Sequence, residues 1–225
     1  MRFVHEPSCI GCMLPEAMLS AMPCAMTSSP RVSFISRPAA MVLPKTPQTL
    51  VAWKPARRPG IVHAVEITGA IGGVALTAAD QPLVVDCSLA VSLDEAGRYL
   101  RDAGVDAATF SSAYSRRTVR GTNRPSKHSY GLAIDVHTFS GPDLGSLRID
   151  RDYEQGLGDA VDCLGRPLTQ GGATLKLLQC QLARSGLFHL VLSPDFDDAH
   201  HDHFHLEVKP WSERTALRAQ APAIH

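Results

Sequence analysis

The sequence predicts an α+β fold, with a mainly antiparallel sheet, helices packed on one of its faces and an open polar cleft on the other. Three observations predict it. Segments 131–139 and 203–209 alternate strictly between apolar and polar residues, as half-buried strands do. Segments 93–103 and 173–185 repeat their apolar residues at helical spacing. The chain of 225 residues is long enough for one sizeable core with an appendage and too short for three ordinary domains.

Taken in order, the first 60 residues hold all six methionines and about half of the 16 prolines, without helical or alternating periodicity. Residues 1–60 therefore read as a low-complexity leader or linker, 61–212 as the folded domain and 213–225 as a C-terminal tail. From Val62, VHAVEIT alternates and is followed by Gly69, Gly72 and Gly73 and then VALTA, the pattern of two strands paired across a glycine-rich turn. Ser92 and Glu95 stand at capping-box spacing, the run through Tyr99 and Leu100 is helical, and Gly104 suits a left-handed C-terminal position, which predicts a helix over 93–103. Leu175, Leu178, Gln181 and Leu182 predict a second helix over 173–185, closed by Gly186 and followed by a strand in FHLVLS.

Composition narrows the function. The 22 basic residues balance 22 acidic ones, so no charge excess argues for nucleic acid. No apolar run approaches the ~18 residues that suggest a membrane span. Glu6, Pro7, Pro15, Glu16 and Pro23 interrupt every apolar stretch near the N-terminus, and no secretory signal is legible there. The six cysteines, Cys9, Cys12, Cys24, Cys87, Cys163 and Cys180, permit disulfides without implying them, and Cys9-x-x-Cys12 lacks a second pair at zinc-ribbon spacing.

The two alternating strands hold the chemistry. In GLAIDVHTF, Leu132, Ile134 and Val136 share the core face, and Ala133, Asp135 and His137 share the other. In HDHFHLEVK, Phe204, Leu206 and Val208 are apolar, which places His203, His205 and Glu207 together on the opposite face with His201 in line. Seven of the ten histidines lie between His128 and His205, and four crowd into His200, His201, His203 and His205. His128, Asp135 and His205 form a ligand set of the kind that a catalytic zinc requires, three protein ligands with a fourth position open to water. A structural alternative has His128 capping a loop, Asp135 paired with Arg116 or Arg117, and the histidine run forming a solvated edge.

Two motifs carry a family resemblance. SKHSYGLAID, from Ser126 to Asp135, fits all five fixed positions of the SxHxxGxAxD signature of the superfamily containing lysostaphin, the D-Ala-D-Ala metallopeptidases and the hedgehog domain. LSPDFDDAHHDHFHLEV, from Leu192, resembles the closing segment of bacterial extensin-like C-terminal domains. The resemblance spans roughly 62–210. It implies a fold of the hedgehog and D-Ala-D-Ala metallopeptidase type, with His128, Asp135 and His205 as the Zn2+ ligands. His203 corresponds to the catalytic partner in murein endopeptidases of the superfamily, whose HxxHxH spacing is met by His200, His203 and His205. It is expected to act as general base or to stabilise the transition state.

Asp202 stands three residues before His205, where related carboxypeptidases carry a glutamate, but on the opposite strand face unless a bulge intervenes; it is the weaker candidate. In SSAYSRR, Tyr114 and Arg117, with Arg116 as the other choice, resemble the tyrosine and arginine that precede the zinc motif, where a guanidinium can bind a carboxylate or polarise a carbonyl. Extensin-like relatives tend to have a cysteine where Arg116 stands, so that family disulfide cannot form, and Cys87, Cys163 and Cys180 need another account. Gly131 and Ala133 read as small residues that let substrate and ion approach the strand. His137 reads as a core or surface histidine. DAHHDH, at 198–203, only approximates the HxHxDH motif of metallo-β-lactamase-like hydrolases, its first histidine being replaced by Asp198.

The resemblance implies a zinc metallopeptidase that cleaves peptide bonds of bacterial peptidoglycan. It places the protein in the cell envelope, the periplasm or outside the cell. The competing expectation is a non-catalytic, zinc-bearing module that binds the cell wall.

Overall fold

The computed structural model describes residues 53–79, 81–157, 163 and 165–213. Cys9, Cys12 and Cys24, the leader up to residue 52 and the tail from residue 214 lie outside the described residues. The class is α+β, and the larger of the two sheets formed by the described residues is mixed.

The smaller sheet has the antiparallel order β1–β2–β4, formed by β1 (Trp53–Pro55), β2 (Ala64–Ile67) and β4 (Leu83–Asp86). Its first strand lies in the segment where the sequence shows no periodicity; three residues are too few to display one. The larger sheet runs β3–β5–β6–β9–β8, from β3 (Ala75–Thr77), β5 (Ala107–Ser112), β6 (Ala133–Gly141), β9 (Phe204–Glu207) and β8 (Leu190–Leu192), with β7 (Gly145–Arg148) also paired to β6. Among the described residues, only β3 and β5 pair in parallel.

The expected hairpin between VHAVEIT and VALTA is therefore not formed, because β2 and β3 go to different sheets. The glycine-rich turn itself is tight. Ile71 and Val74 exchange both backbone hydrogen bonds at 2.9 Å, and Gly72 and Gly73 adopt positive φ of 57° and 81°. A Cβ on Gly97 of the neighbouring helix would meet the Gly72 oxygen at 2.2 Å. This close backbone approach docks the turn on the helix and parts the two strands.

That helix, α1 (Cys87–Asp102), starts six residues before the expected 93. Its N-cap is Asp86, whose Oδ1 accepts the Ser88 amide at 2.9 Å and whose Oδ2 accepts the His63 amide at 3.2 Å. Ser92 lies in the helix interior and donates to the Leu187 carbonyl at 3.0 Å, so the Ser92–Glu95 capping box is not used. The short α2 (Ile149–Asp152) follows β7, and α3 (Gln170–Arg184), capped by Thr169, begins three residues ahead of the expected start. Cys163 and Cys180 form a disulfide that ties the segment before α3 to that helix, which accounts for two of the three body cysteines.

Both long helices cover the apolar face of the larger sheet. Leu89, Leu93 and Leu100 of α1 and Leu175, Leu178 and Leu182 of α3 share one buried cluster with Ile134, Val136, Phe204 and Leu206. Alternation then turns Asp135 and His205 to the opposite face, away from the helices. Among the described residues, no helix is long and apolar enough to cross a membrane.

Candidate metal centre

The first motif is a short turn feeding a strand. Residues Lys127–Tyr130 form one 3-10 turn, capped by Ser126, whose Oγ accepts the His128 amide at 3.4 Å. Ser126 is thus the cap, and His128 is held within the turn with its side chain fully buried. Gly131 ends the turn at φ 63°, and a Cβ there would meet the Asp86 nitrogen at 2.7 Å. Its small size serves packing against the start of α1, not access to the metal-facing surface as the sequence suggested. Two residues later β6 begins and delivers Asp135.

Register supplies the partner. Asp135 lies directly opposite His205 of β9 on one side and opposite Ser112 of β5 on the other, where β5 shifts register between Phe110 and Ser112. Three donor atoms meet: His205 Nδ1 is 2.8 Å from Asp135 Oδ1, His128 Nε2 is 3.2 Å from that same oxygen, and the two ring nitrogens are 3.3 Å apart. Tetrahedral zinc with bonds of about 2.0–2.1 Å sets its ligand atoms roughly 3.3–3.4 Å apart. Two of the three separations match that edge, and the third is shorter. The donor set, two imidazoles and one carboxylate, suits zinc chemically.

A model of the family described as Extensin-like protein C-terminus matches residues 46–217. The chain belongs to the extensin-like C-terminal family. No curated protein and no solved structure gives a match. Every residue of the cluster falls inside the extensin-like segment, from upstream of β1 to beyond β9.

In this extensin-like domain the ligand candidates are oriented from behind. Ser112 Oγ lies 3.2 Å from His128 Nδ1, a contact that holds the ring with Nε2 toward Asp135. His205 Nε2 points to Glu207 Oε2 at 3.7 Å, the arrangement of a carboxylate holding a metal-binding imidazole. Arg117 Nη2 donates to Asp135 Oδ2 at 3.0 Å and leaves Oδ1 for the two histidines. Of the two arginines it is Arg117 that reaches the site, and its partner there is the carboxylate. The ion pair of the structural alternative is therefore formed, on the Asp135 oxygen that the histidines do not use.

Sequence reasoning gave no role to Ser112 or Glu207. Glu207 was within reach, since it shares the face of His205 at i+2. Ser112 had no local signal, because only the shifted register of β5 brings it to His128.

The other candidates divide. The His203 ring lies beside the cluster, with Nε2 3.6 Å from Asp135 Oδ1 and Nδ1 donating to Asp202 Oδ1 at 2.8 Å. Asp202 therefore faces His203, because β9 starts only at Phe204 and both residues precede it. His200 stacks near His203 and His205, with ring centroids 5.1 and 5.7 Å away, and its Nδ1 donates to Asp197 Oδ1 at 2.6 Å. His201 is not in line with the strand: it stands in a turn, its Nδ1 donating to the Asp198 carbonyl at 2.8 Å. Tyr114 is anchored elsewhere and donates to the Pro59 carbonyl at 2.8 Å, while Arg116 is exposed. Phe196, also exposed, meets the His200 ring edge-on at 5.5 Å.

Electrostatics favour a cation. Burial opposes the Asp135 charge, but hydrogen bonds from His128 and His205 outweigh it and hold this carboxyl far below the usual carboxylate range. Burial pushes the His128 pKa down, so that ring is neutral at pH 7. Burial also opposes charge on His205, yet the neighbouring carboxylates of Asp135 and Glu207 prevail and raise its pKa to about 8. In the metal-free chain at pH 7, then, a proton on His205 Nδ1 sits among the three donor atoms.

A metal ion would replace that proton. The charged His205 contributes stability that is fully present below its unfolded pKa and lost as pH rises through about 8, while metal affinity changes in the opposite sense. Zinc loading is expected to release about one proton per ion at pH 7 and almost none at pH 9.5. Calorimetry in buffers of differing ionisation enthalpy measures this; a release that does not vary with pH would refute the His205 assignment.

Proposed function

We propose that this extensin-like domain is a zinc-dependent peptidase that hydrolyses peptide bonds in the stems or cross-links of bacterial peptidoglycan. The observation that carries the proposal is the meeting of three buried donor atoms, from His128, Asp135 and His205, beside a fourth imidazole, His203, which has its own carboxylate. A closed structural site would need a fourth ligand and no such neighbour. The SxHxxGxAxD signature, shared with lysostaphin and the D-Ala-D-Ala metallopeptidases, supports peptide hydrolysis and the wall peptide as substrate.

His128, Asp135 and His205 would hold the ion. Zinc in such a site supplies Lewis acidity toward an amide carbonyl and lowers the pKa of a coordinated water toward ~7. The chain does the rest. Asp202 accepts the Nδ1–H of His203 and so fixes the tautomer whose Nε2 lone pair faces the cluster. Burial lowers the His203 pKa against the pull of Asp202, which keeps the ring neutral and able to take a proton from the attacking water. It can then return that proton to the leaving amine. Arg117 holds Asp135 in place, and its guanidinium is half exposed, so its remaining N–H groups can orient a substrate carbonyl or carboxylate.

The Cys163–Cys180 disulfide supports an oxidising compartment such as the cell envelope, where the substrate lies. The test is incubation of the full chain with cross-linked muropeptides, with products read by mass spectrometry. Cleavage is expected with zinc, to stop when a chelator removes it, and to return on adding one equivalent. A zinc-loaded chain that cuts no stem or cross-link would transfer the site to the non-catalytic, wall-binding reading.

A further inference from the structure

His203 faces two ways, and its second side meets another set of donors. Its Nδ1 lies 2.8 Å from Asp202 Oδ1, and the other oxygen of that carboxylate lies 3.7 Å from His137 Nδ1. One donor atom from each of His137, Asp202 and His203 falls within 4.8 Å of the others. The His137 and His203 rings stand 5.2 Å apart and tilted, so their edges open toward the same carboxylate.

His137 is held for this task. Its Nε2 lies 2.7 Å from Ser111 Oγ, a contact that holds the ring with Nδ1 toward Asp202. At 3.7 Å that nitrogen and the Asp202 oxygen are too far apart for a hydrogen bond, and the gap between them can take a cation. His137, which the sequence alone presents as a core or surface histidine, sits at the wall of an open depression of about 360 Å³ lined by His137, Thr138, Arg148, Asp150 and Asp202. An ion can enter there from solvent. The cation already present, Arg148, is turned onto Asp150, to which its Nε donates at 3.0 Å. All three donor residues are partly buried, unlike the buried set at Asp135.

We propose that His137, Asp202 and His203 form a second site for a divalent transition metal of the zinc class, bound more weakly than the first and filled only when zinc is in excess. An ion at this site uses the His203 Nδ1 and the Asp202 carboxylate, and so takes from His203 the partner that orients it as a base. Excess zinc therefore inhibits the chain. The inhibitory half rests on the peptidase reading; the binding half does not.

Zinc alone, titrated calorimetrically into the metal-free full chain, tests the binding half. The wild type is expected to show a tight and a weaker step, and both His137→Ala and the near-isosteric Asp202→Asn to lose the weaker one. His205→Ala should lose only the tight step. A wild type that saturates without a weaker step, or a His137→Ala chain that takes up as much zinc as the wild type, overturns the second site. A tight step that survives His205→Ala overturns instead the assignment of the first site, and the second is then judged by His137→Ala alone. For the inhibitory half, muropeptide cleavage by the wild type should fall more than tenfold in excess zinc, while His137→Ala keeps its rate. Equal inhibition of both would sever the second ion from His203.

Discussion

His205→Ala is expected to strip the tightly bound metal and abolish muropeptide cleavage in the same step. The substitution removes the Nδ1 atom that lies 2.8 Å from Asp135 and 3.3 Å from His128, leaving two protein donors where a catalytic zinc needs three. It also leaves Glu207 without the imidazole that it orients. Loss of such a supporting partner alone costs metal affinity roughly 10–100-fold, so Glu207→Gln should fall in that range and His205→Ala well beyond it. Metal analysis after dialysis, beside the cleavage assay, reads both. His205→Ala that retains a full equivalent of tight zinc would remove the basis for the whole site.

His203→Ala should separate binding from chemistry. Its ring lies beside the donor cluster, with Nε2 3.6 Å from Asp135 Oδ1, so the tight ion should stay. Loss of a positioned general base slows turnover by typically 10²–10⁴-fold, and a fall in kcat of that size is expected here with little change in KM. Asp202→Asn should cost less, because the imidazole remains while its tautomer is no longer fixed, and the acidic limb of the pH profile should move. A His203→Ala chain that still turns over at the wild-type rate would end the assignment of His203 as base.

Much of this site was legible in the sequence because β-strand alternation has a fixed period. Once Leu132, Ile134 and Val136 are assigned to the core, Asp135 must face the other way, and Phe204 and Leu206 do the same for His205. The signature also has local causes that can be written down from the chain: Ser126 caps the turn, Gly131 ends it at positive φ, and His128 is carried between them. Helix positions were legible and their starts were not. Asp86 and Ser92 both suit an N-cap, and the choice fell to Asp86 because it is also fixed by the His63 amide, a contact of the small sheet.

The strands and the motif thus determined which side chains leave the core and which three of them suit a metal. Tertiary structure alone decided what surrounds them. The shifted register of β5 brings Ser112 to His128, the late start of β9 turns Asp202 onto His203, and the approach of β5 to β6 sets Ser111 behind His137. Each of these is a pairing across strands or a phase set by where a strand begins. The period along a chain fixes a side chain's face, but its neighbours on that face depend on which strands lie alongside and in what register.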